Sequence, residues 1–289
     1  MKLIQINFPI KREVQQESEA CVMALGFFDG VHLGHREIIK QASKVADRKK
    51  LKLAVMTFFP HPSSVIPKGP KVTHYLTPLN VKAEIFERLG VDLLYVVEFN
   101  QQVAAIPHRQ FVDDYLCGLR VKHAVAGFDY KYGFKGKGNM EQLVTDSNGR
   151  FEVTKVSELS QNSHKVGSTL LRDLLSTGKV EKVSDYLGRN YEMKGFMNGH
   201  GKAVEITIDS SYFLPCSGSY EVTVLYQGLR AKGICEINSR NEKGQLNIQL
   251  FHDSLIGQGE LVTLEWNNFI ADFDAWDFHA QENMLEARL

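Results

Sequence analysis

The chain is short of cysteine and has no surplus charge of either sign. Its four cysteines, Cys21, Cys117, Cys216 and Cys235, are far apart, and none forms Cys-x-x-Cys. That spacing argues against a disulfide framework or a cysteine-based metal site, and it fits reduced thiols in the cytoplasm. Lys+Arg and Asp+Glu both number 34, so the formal net charge is zero. A balanced chain gives no support for a nucleic-acid coat or for an anionic membrane partner. No run approaches the ~20 apolar residues that cross a bilayer. Met1 to Arg12 lacks the apolar segment of a signal peptide. Repeats and low-complexity tracts are absent too, as is any His-Glu-x-x-His. The glycine-rich run Gly133 to Gly138 is not a P-loop, because Gly138 stands where Ser or Thr must hold Mg²⁺.

What is there suffices for two domains, since the chain has 289 residues and is 43% hydrophobic. Apolar strand-like runs at Cys21 to Leu25, Leu53 to Phe59, Leu93 to Val97, Val121 to Ala126 and Phe151 to Val156 alternate with helical patterns. Met1 to Phe8 adds an edge strand. Such alternation predicts an α/β fold, a doubly wound parallel sheet with helices on both faces. After Gly188 six short strands separated by turn residues predict an antiparallel barrel or sandwich. The tail Asp272 to Leu289 carries Phe273, Trp276, Ala280 and Met284 at helical spacing, which predicts a C-terminal helix. The expected domains are therefore residues 1–187 and 188–289.

Chemistry is expected in Gly26-Phe27-Phe28-Asp29-Gly30-Val31-His32-Leu33-Gly34-His35. This glycine-rich turn follows a buried strand and precedes a helical pattern from Arg36 to Arg48. Free N–H groups at a helix N-terminus favour an anion, and Gly34 lets a phosphate approach the backbone. His32 and His35, three apart around the turn, can both face that phosphate. Two more candidate segments follow strand ends, namely Pro60-His61-Pro62 and Gly127 to Gly133 with Asp129 and Tyr132. Ligands on such sheets bind beyond the carboxyl ends of the strands. Further on, Gly167-Ser168-Thr169-Leu170-Leu171-Arg172 opens another helix. Two hydroxyls and a guanidinium there make a second anion site.

The His32 to His35 pattern resembles the His-x-Gly-His signature of the nucleotidylyltransferase superfamily, and its wider form resembles the opening motif of bacterial FAD synthetases. That resemblance covers most of residues 20–191, including Gly127-Phe128-Asp129, Ser168-Thr169 with Arg172, and Tyr186-Leu187-Gly188-Arg189. It implies adenylyl transfer from ATP, with Mg²⁺ carried on ATP, to FMN, giving FAD and pyrophosphate. It assigns His32, His35 and Arg172 to catalysis. Gly26, Phe27, Phe28, Asp29, Gly34, Ser168 and Thr169 fall to the nucleotide, and His61, Asp129 and Tyr132 to the flavin. Gly167 departs from the family, which has a serine there.

The family's usual partner domain is a riboflavin kinase barrel, which residues 188–289 resemble in outline. Its Gly-Phe-Pro-Thr-Ala-Asn signature is missing, and Gly201-Lys202-Ala203-Val204-Glu205-Ile206-Thr207 stands in its place. The activating Glu is absent as well, since Leu246 to Leu250 occupies that strand. No riboflavin kinase activity is expected. A flavin- or nucleotide-binding regulator without turnover remains open at this point. So does transfer to another phosphate-bearing substrate, such as phosphopantetheine or nicotinate mononucleotide. The sequence leaves homo-oligomerisation open and points to a cytoplasmic protein with small-molecule partners.

Overall fold

The computed structural model describes residues 1–66, 69–238, 241 and 244–271. The chain forms two compact units, Met1–Ser168 and Thr169–Leu289.

In the first unit the apolar runs become a parallel sheet of β1 (Lys2–Ile6), β2 (Cys21–Leu25), β3 (Lys52–Phe59), β4 (Leu93–Glu98), β5 (Val121–Gly127) and β6 (Glu152–Val156). Their order is β1-β4-β3-β2-β5-β6, with every neighbouring pair parallel. The β2 strand is buried at all five residues, as a central strand covered on both faces must be. Cys21, Met23 and Leu25 pack with Phe111, Val112, Tyr115, Leu116, Met140 and Leu143 on one face. Side chains alternate along a strand, so Val22 and Ala24 face the other side. There the helix Leu33–Lys49 buries Ile39, Ala42, Val45 and Ala46.

From β2 the chain builds outward through β3 and β4, then returns to add β5 and β6 on the other side. The reversal leaves a crevice between the carboxyl ends of β2 and β5. The segments that leave those ends start at Gly26 and Phe128. A small hairpin of β7 (Ser160–Gln161) and β8 (His164–Lys165) follows β6.

The second unit contains the helices after Ser168 and a closed antiparallel barrel. Its strands are β9 (Tyr191–His200), β10 (Ala203–Ile208), β11 (Gly218–Tyr226), β12 (Leu229–Ile237), β13 (Gln245–Leu250) and β14 (Leu261–Ala271). Met193, Ile206, Tyr220, Val222, Leu246, Leu264 and Trp266 are buried. Along β9, β10, β13 and β14 buried positions alternate with more exposed ones, whereas β11 is buried over most of its length. Closure occurs because β14 pairs with both β9 and β11. The helix expected over Asp272 to Leu289 lies outside the described residues. Among the described residues, no helix is long and apolar enough to cross a membrane.

Candidate active site

The turn after β2 is held in an uncommon backbone shape. Phe28 (φ 58°) and Val31 (φ 45°) are left-handed, as is Gly30 (φ 82°). A valine there is an outlier, and each such residue costs on the order of 1–3 kcal/mol. Burial of the side chains offsets that cost, for Phe28 and Val31 are fully buried. The Phe28 ring meets Phe86 at 5.7 Å and His35 at 5.2 Å, both edge-on. It also explains Gly26, where a Cβ would come within 3.0 Å of that ring.

His32 places the helix start differently from the sequence pattern. The helix begins at Leu33, not Arg36, because the His32 side chain caps it: Nδ1 accepts from the His35 N–H at 3.2 Å. The Arg36 N–H donates to the His32 carbonyl at 2.9 Å. Leu33 and Gly34 then carry first-turn N–H groups with no acceptor within the helix. Because Nδ1 accepts, the proton of a neutral His32 sits on Nε2, which makes that atom a donor. The two imidazoles stack, with centroids 3.5 Å apart and planes 19° apart. His32 is buried, and His35 is half-buried with its Nδ1 buried and unpartnered. A Cβ on Gly34 would press on the His32 ring at 3.3 Å.

Both rings are neutral near pH 7. Burial pushes His32 down to about 4, with Asp129 opposing and Lys165 reinforcing the shift. Burial also holds His35 well below the ordinary imidazole range, helped by His32 and Lys82. The unfolded chain binds protons at these rings near 6.5, whereas the folded chain does not until about 4 at His32. Acidification through that window therefore favours unfolding. His32 alone should remove about 3 kcal/mol of stability between its two pKa values. Urea unfolding measured from pH 7 to 4 should show this loss, and His32→Asn should flatten it. An unchanged slope in that variant would show that the ring is not held neutral.

Asp29 and Phe27 form the floor. Asp29 is buried, and its Oδ1 accepts from the Thr77 N–H at 3.1 Å while its carbonyl accepts from the Ser168 hydroxyl at 2.9 Å. Thr77 is thereby tied to the turn, and Pro78 takes the N-cap position of the helix Leu79–Arg88. Sequence reasoning missed Lys82, one helical turn further on. It is 2% exposed, and its Nζ donates to the Phe27 carbonyl at 2.8 Å and lies 4.1 Å from the Phe27 ring centroid. Its signal was available, since Lys82 shares the buried stripe of Val81, Ile85 and Phe86.

The flavin-side candidates fall into two surroundings. His61 packs edge-on against Phe27 at 4.3 Å, and its Nδ1 accepts from the Ser63 N–H at 3.0 Å, capping a short turn of helix. Asp129 is exposed and pairs with Lys165 at 2.7 Å. Lys165 also lies over the Phe128 ring. Tyr132 is buried between Phe111 and Tyr130, and its hydroxyl donates to Asp146 at 2.8 Å. Asp146 also accepts from Gln142 and pairs with His108 at 2.6 Å, so Tyr132 anchors the loop rather than lining its surface.

Among the phosphate candidates, Ser168 reaches the turn through Asp29, as described. Thr169 is exposed and Arg172 stacks over Phe213 at 4.8 Å, both within the second unit. A Cβ on Gly167 would meet no neighbour within 4 Å, so crowding does not explain the missing serine. Among the described residues, no cluster of three His, Cys, Asp or Glu is arranged to hold a metal ion. The first unit thus supplies neutral imidazole donors and open helix N–H groups at the sheet's switch point, an arrangement suited to phosphate oxygens.

Comparison with known proteins agrees with that chemistry. The family model described as FAD synthetase matches residues 14–170. The bifunctional riboflavin kinase/FMN adenylyltransferase of Bacillus subtilis is 37% identical over 281 residues, covering 92% of this chain and 89% of that protein. Its counterpart of the same description in Listeria monocytogenes is 39% identical over 284 residues, covering 93% and 90%. A crystal structure titled as a macrolide-efflux protein from Streptococcus pneumoniae matches with a TM-score of 0.86 at 24% identity, over 99% of this chain and 97% of that one. The last is a likeness of fold.

Proposed function

The chain belongs to the FAD synthetase family, whose named members here are nucleotidyltransferases, and from that premise we propose that it is an FMN adenylyltransferase without riboflavin kinase activity. A phosphate oxygen of FMN attacks the α-phosphorus of ATP. The bond from that phosphorus to its bridging oxygen breaks, and pyrophosphate leaves. The FMN phosphate is already an anion near neutral pH, so no strong protein base is needed. What the protein must supply is position and charge stabilisation.

One observation carries this reading: the stacked pair His32 and His35 at an open helix N-terminus, beside the switch point of the sheet. The His32 Nε2–H and the N–H groups of Leu33 and Gly34 are donors for oxygens that gain charge as the bond breaks. They need not reorganise, and burial strengthens them. His35 braces His32 by stacking and through its own N–H. Gly26, Phe27, Phe28 and Asp29 line the nucleotide. Ser168, Thr169 and Arg172 hold the pyrophosphate end, as the family motif implies. His61 and Asp129 face the flavin, with Tyr132 fixing the loop that carries Asp129.

Mg²⁺ comes bound to the phosphates of ATP and adds charge neutralisation there. The functional division falls at residue 187, with the barrel of 188–289 catalytically silent. Four free cysteines suit a reducing cytoplasm.

The test is direct. Incubation with ATP, Mg²⁺ and FMN should yield FAD and pyrophosphate in equal amounts. Tight flavin and nucleotide binding with no FAD would instead make the protein a regulator on the same fold.

A further inference from the structure

We propose that Lys82 is a positioning residue of the anion site: it pins the Phe27 carbonyl and so fixes the Phe28 N–H as a donor to a nucleotide phosphate. The assignment of the ligand rests on the adenylyl-transfer reading. The mechanism above makes no use of Lys82, yet the fold buries its ammonium almost completely. Burying a cation is costly unless it is paired, so its contacts matter.

Those contacts converge on one peptide group. The Phe27 carbonyl accepts from Lys82 Nζ at 2.8 Å and from Thr57 Oγ1 at 2.8 Å. The same ammonium lies over the Phe27 ring at 4.1 Å. The Phe27–Phe28 bond is trans, since among the described residues the cis bonds are Phe8–Pro9 and Phe59–Pro60. In a trans peptide the carbonyl and the following N–H point in opposite directions. Two donors on the Phe27 oxygen therefore turn the Phe28 N–H away from both of them. Phe28 is fully buried, and no acceptor for its N–H is found among the described residues. A buried N–H without a partner is rare, and here it lies in the turn that leads to His32. A phosphate oxygen would satisfy it.

The alternative orientation explains why a cation is used. Phe28 is left-handed at φ 58°, so the turn is strained and its peptide has reason to flip. A flip would aim the Phe27 carbonyl at the incoming phosphate, where its partial negative charge repels. Lys82 holds the carbonyl away with a charge-assisted hydrogen bond. The titratable groups that act on the ammonium are Asp29, which favours its charge, and His35, whose protonation it opposes. Burial brings Lys82 down to about 8, so the clamp is charged at pH 7 and weakens on the alkaline side.

Lys82→Met and Lys82→Arg in the full chain test this. Two measurements are needed, FAD formation from ATP and FMN, and calorimetric titration with inorganic pyrophosphate. Lys82→Met should lower kcat roughly 10- to 100-fold. It should weaken pyrophosphate about tenfold, and leave the KM for FMN and the melting temperature near wild type. Lys82→Arg should restore most of kcat and abolish the alkaline fall, because guanidinium does not titrate there. Wild-type kcat and pyrophosphate affinity in Lys82→Met would overturn the role. So would an unchanged alkaline limb in Lys82→Arg, or losses in Lys82→Met that simply track a lower melting temperature. If the wild type forms no FAD while Lys82→Met still loses pyrophosphate, the reaction is wrong and the clamp stands.

Discussion

His32→Ala should lower the rate of FAD formation about a hundredfold or more, the loss typical of one missing donor to a developing oxyanion. The substitution removes the Nε2–H donor, the stacking partner of His35 and the cap on the His35 N–H together. Only the first bears directly on the chemistry. Loss of the cap costs about 1 kcal/mol of stability. His32→Asn separates the two, because asparagine is a good N-cap but brings no imidazole. It should melt near the wild-type temperature and remain slow. His35→Ala should also be slow, because His32 then loses the ring that fixes its plane. The measurement is kcat at saturating ATP and FMN beside a thermal melt of each variant. Wild-type turnover in both alanine variants would remove the imidazoles from the mechanism.

Riboflavin supplied with ATP and Mg²⁺ should give no FMN above a protein-free blank. The expectation rests on the sequence, in which the kinase signature Gly-Phe-Pro-Thr-Ala-Asn does not occur. In β9 and β10, His200 pairs with Ala203, so only Gly201 and Lys202 join the strands. This tight hairpin stands where the resembled kinases carry their Thr- and Asn-bearing signature. On β13, Asn247 and Gln249 are exposed and no residue is a carboxylate. A neutral hydroxyl attacks phosphorus only when a base removes its proton and the phosphates are held. An amide cannot act as that base. Similarity to bifunctional relatives extends over most of the chain, so the expected result would set this chain apart from them. FMN made from riboflavin, at a rate that scales with protein concentration, would overturn the silent-barrel assignment.

Much of the fold could be read from local pattern. Cys21 to Leu25 is apolar at every position, and it is a strand buried at every position. The strand ends at Leu25 and Gly127 carry glycine-rich continuations, which is where the sheet opens. In the second unit, the strand pattern located β10 and β13 but by itself left barrel or sandwich open; the family resemblance favoured the barrel, which the structure has. Alternation reports which face is buried, not whether the last strand reaches the first. Closure depends on the pairing of β14 with β9, a contact between distant parts of the chain.

The sequence by itself pointed to Gly26 to His35 as the expected phosphate site, because helix starts, glycine turns and paired histidines are local facts. Only the tertiary structure decided how that site is tuned. His32 became the helix cap, Ser168 and Thr77 met on Asp29, and Lys82 closed over Phe27 from another helix. The neutral state of the imidazoles belongs to the same class. It comes from burial and neighbouring charge, which are set by residues far along the chain and have no signature in any short stretch.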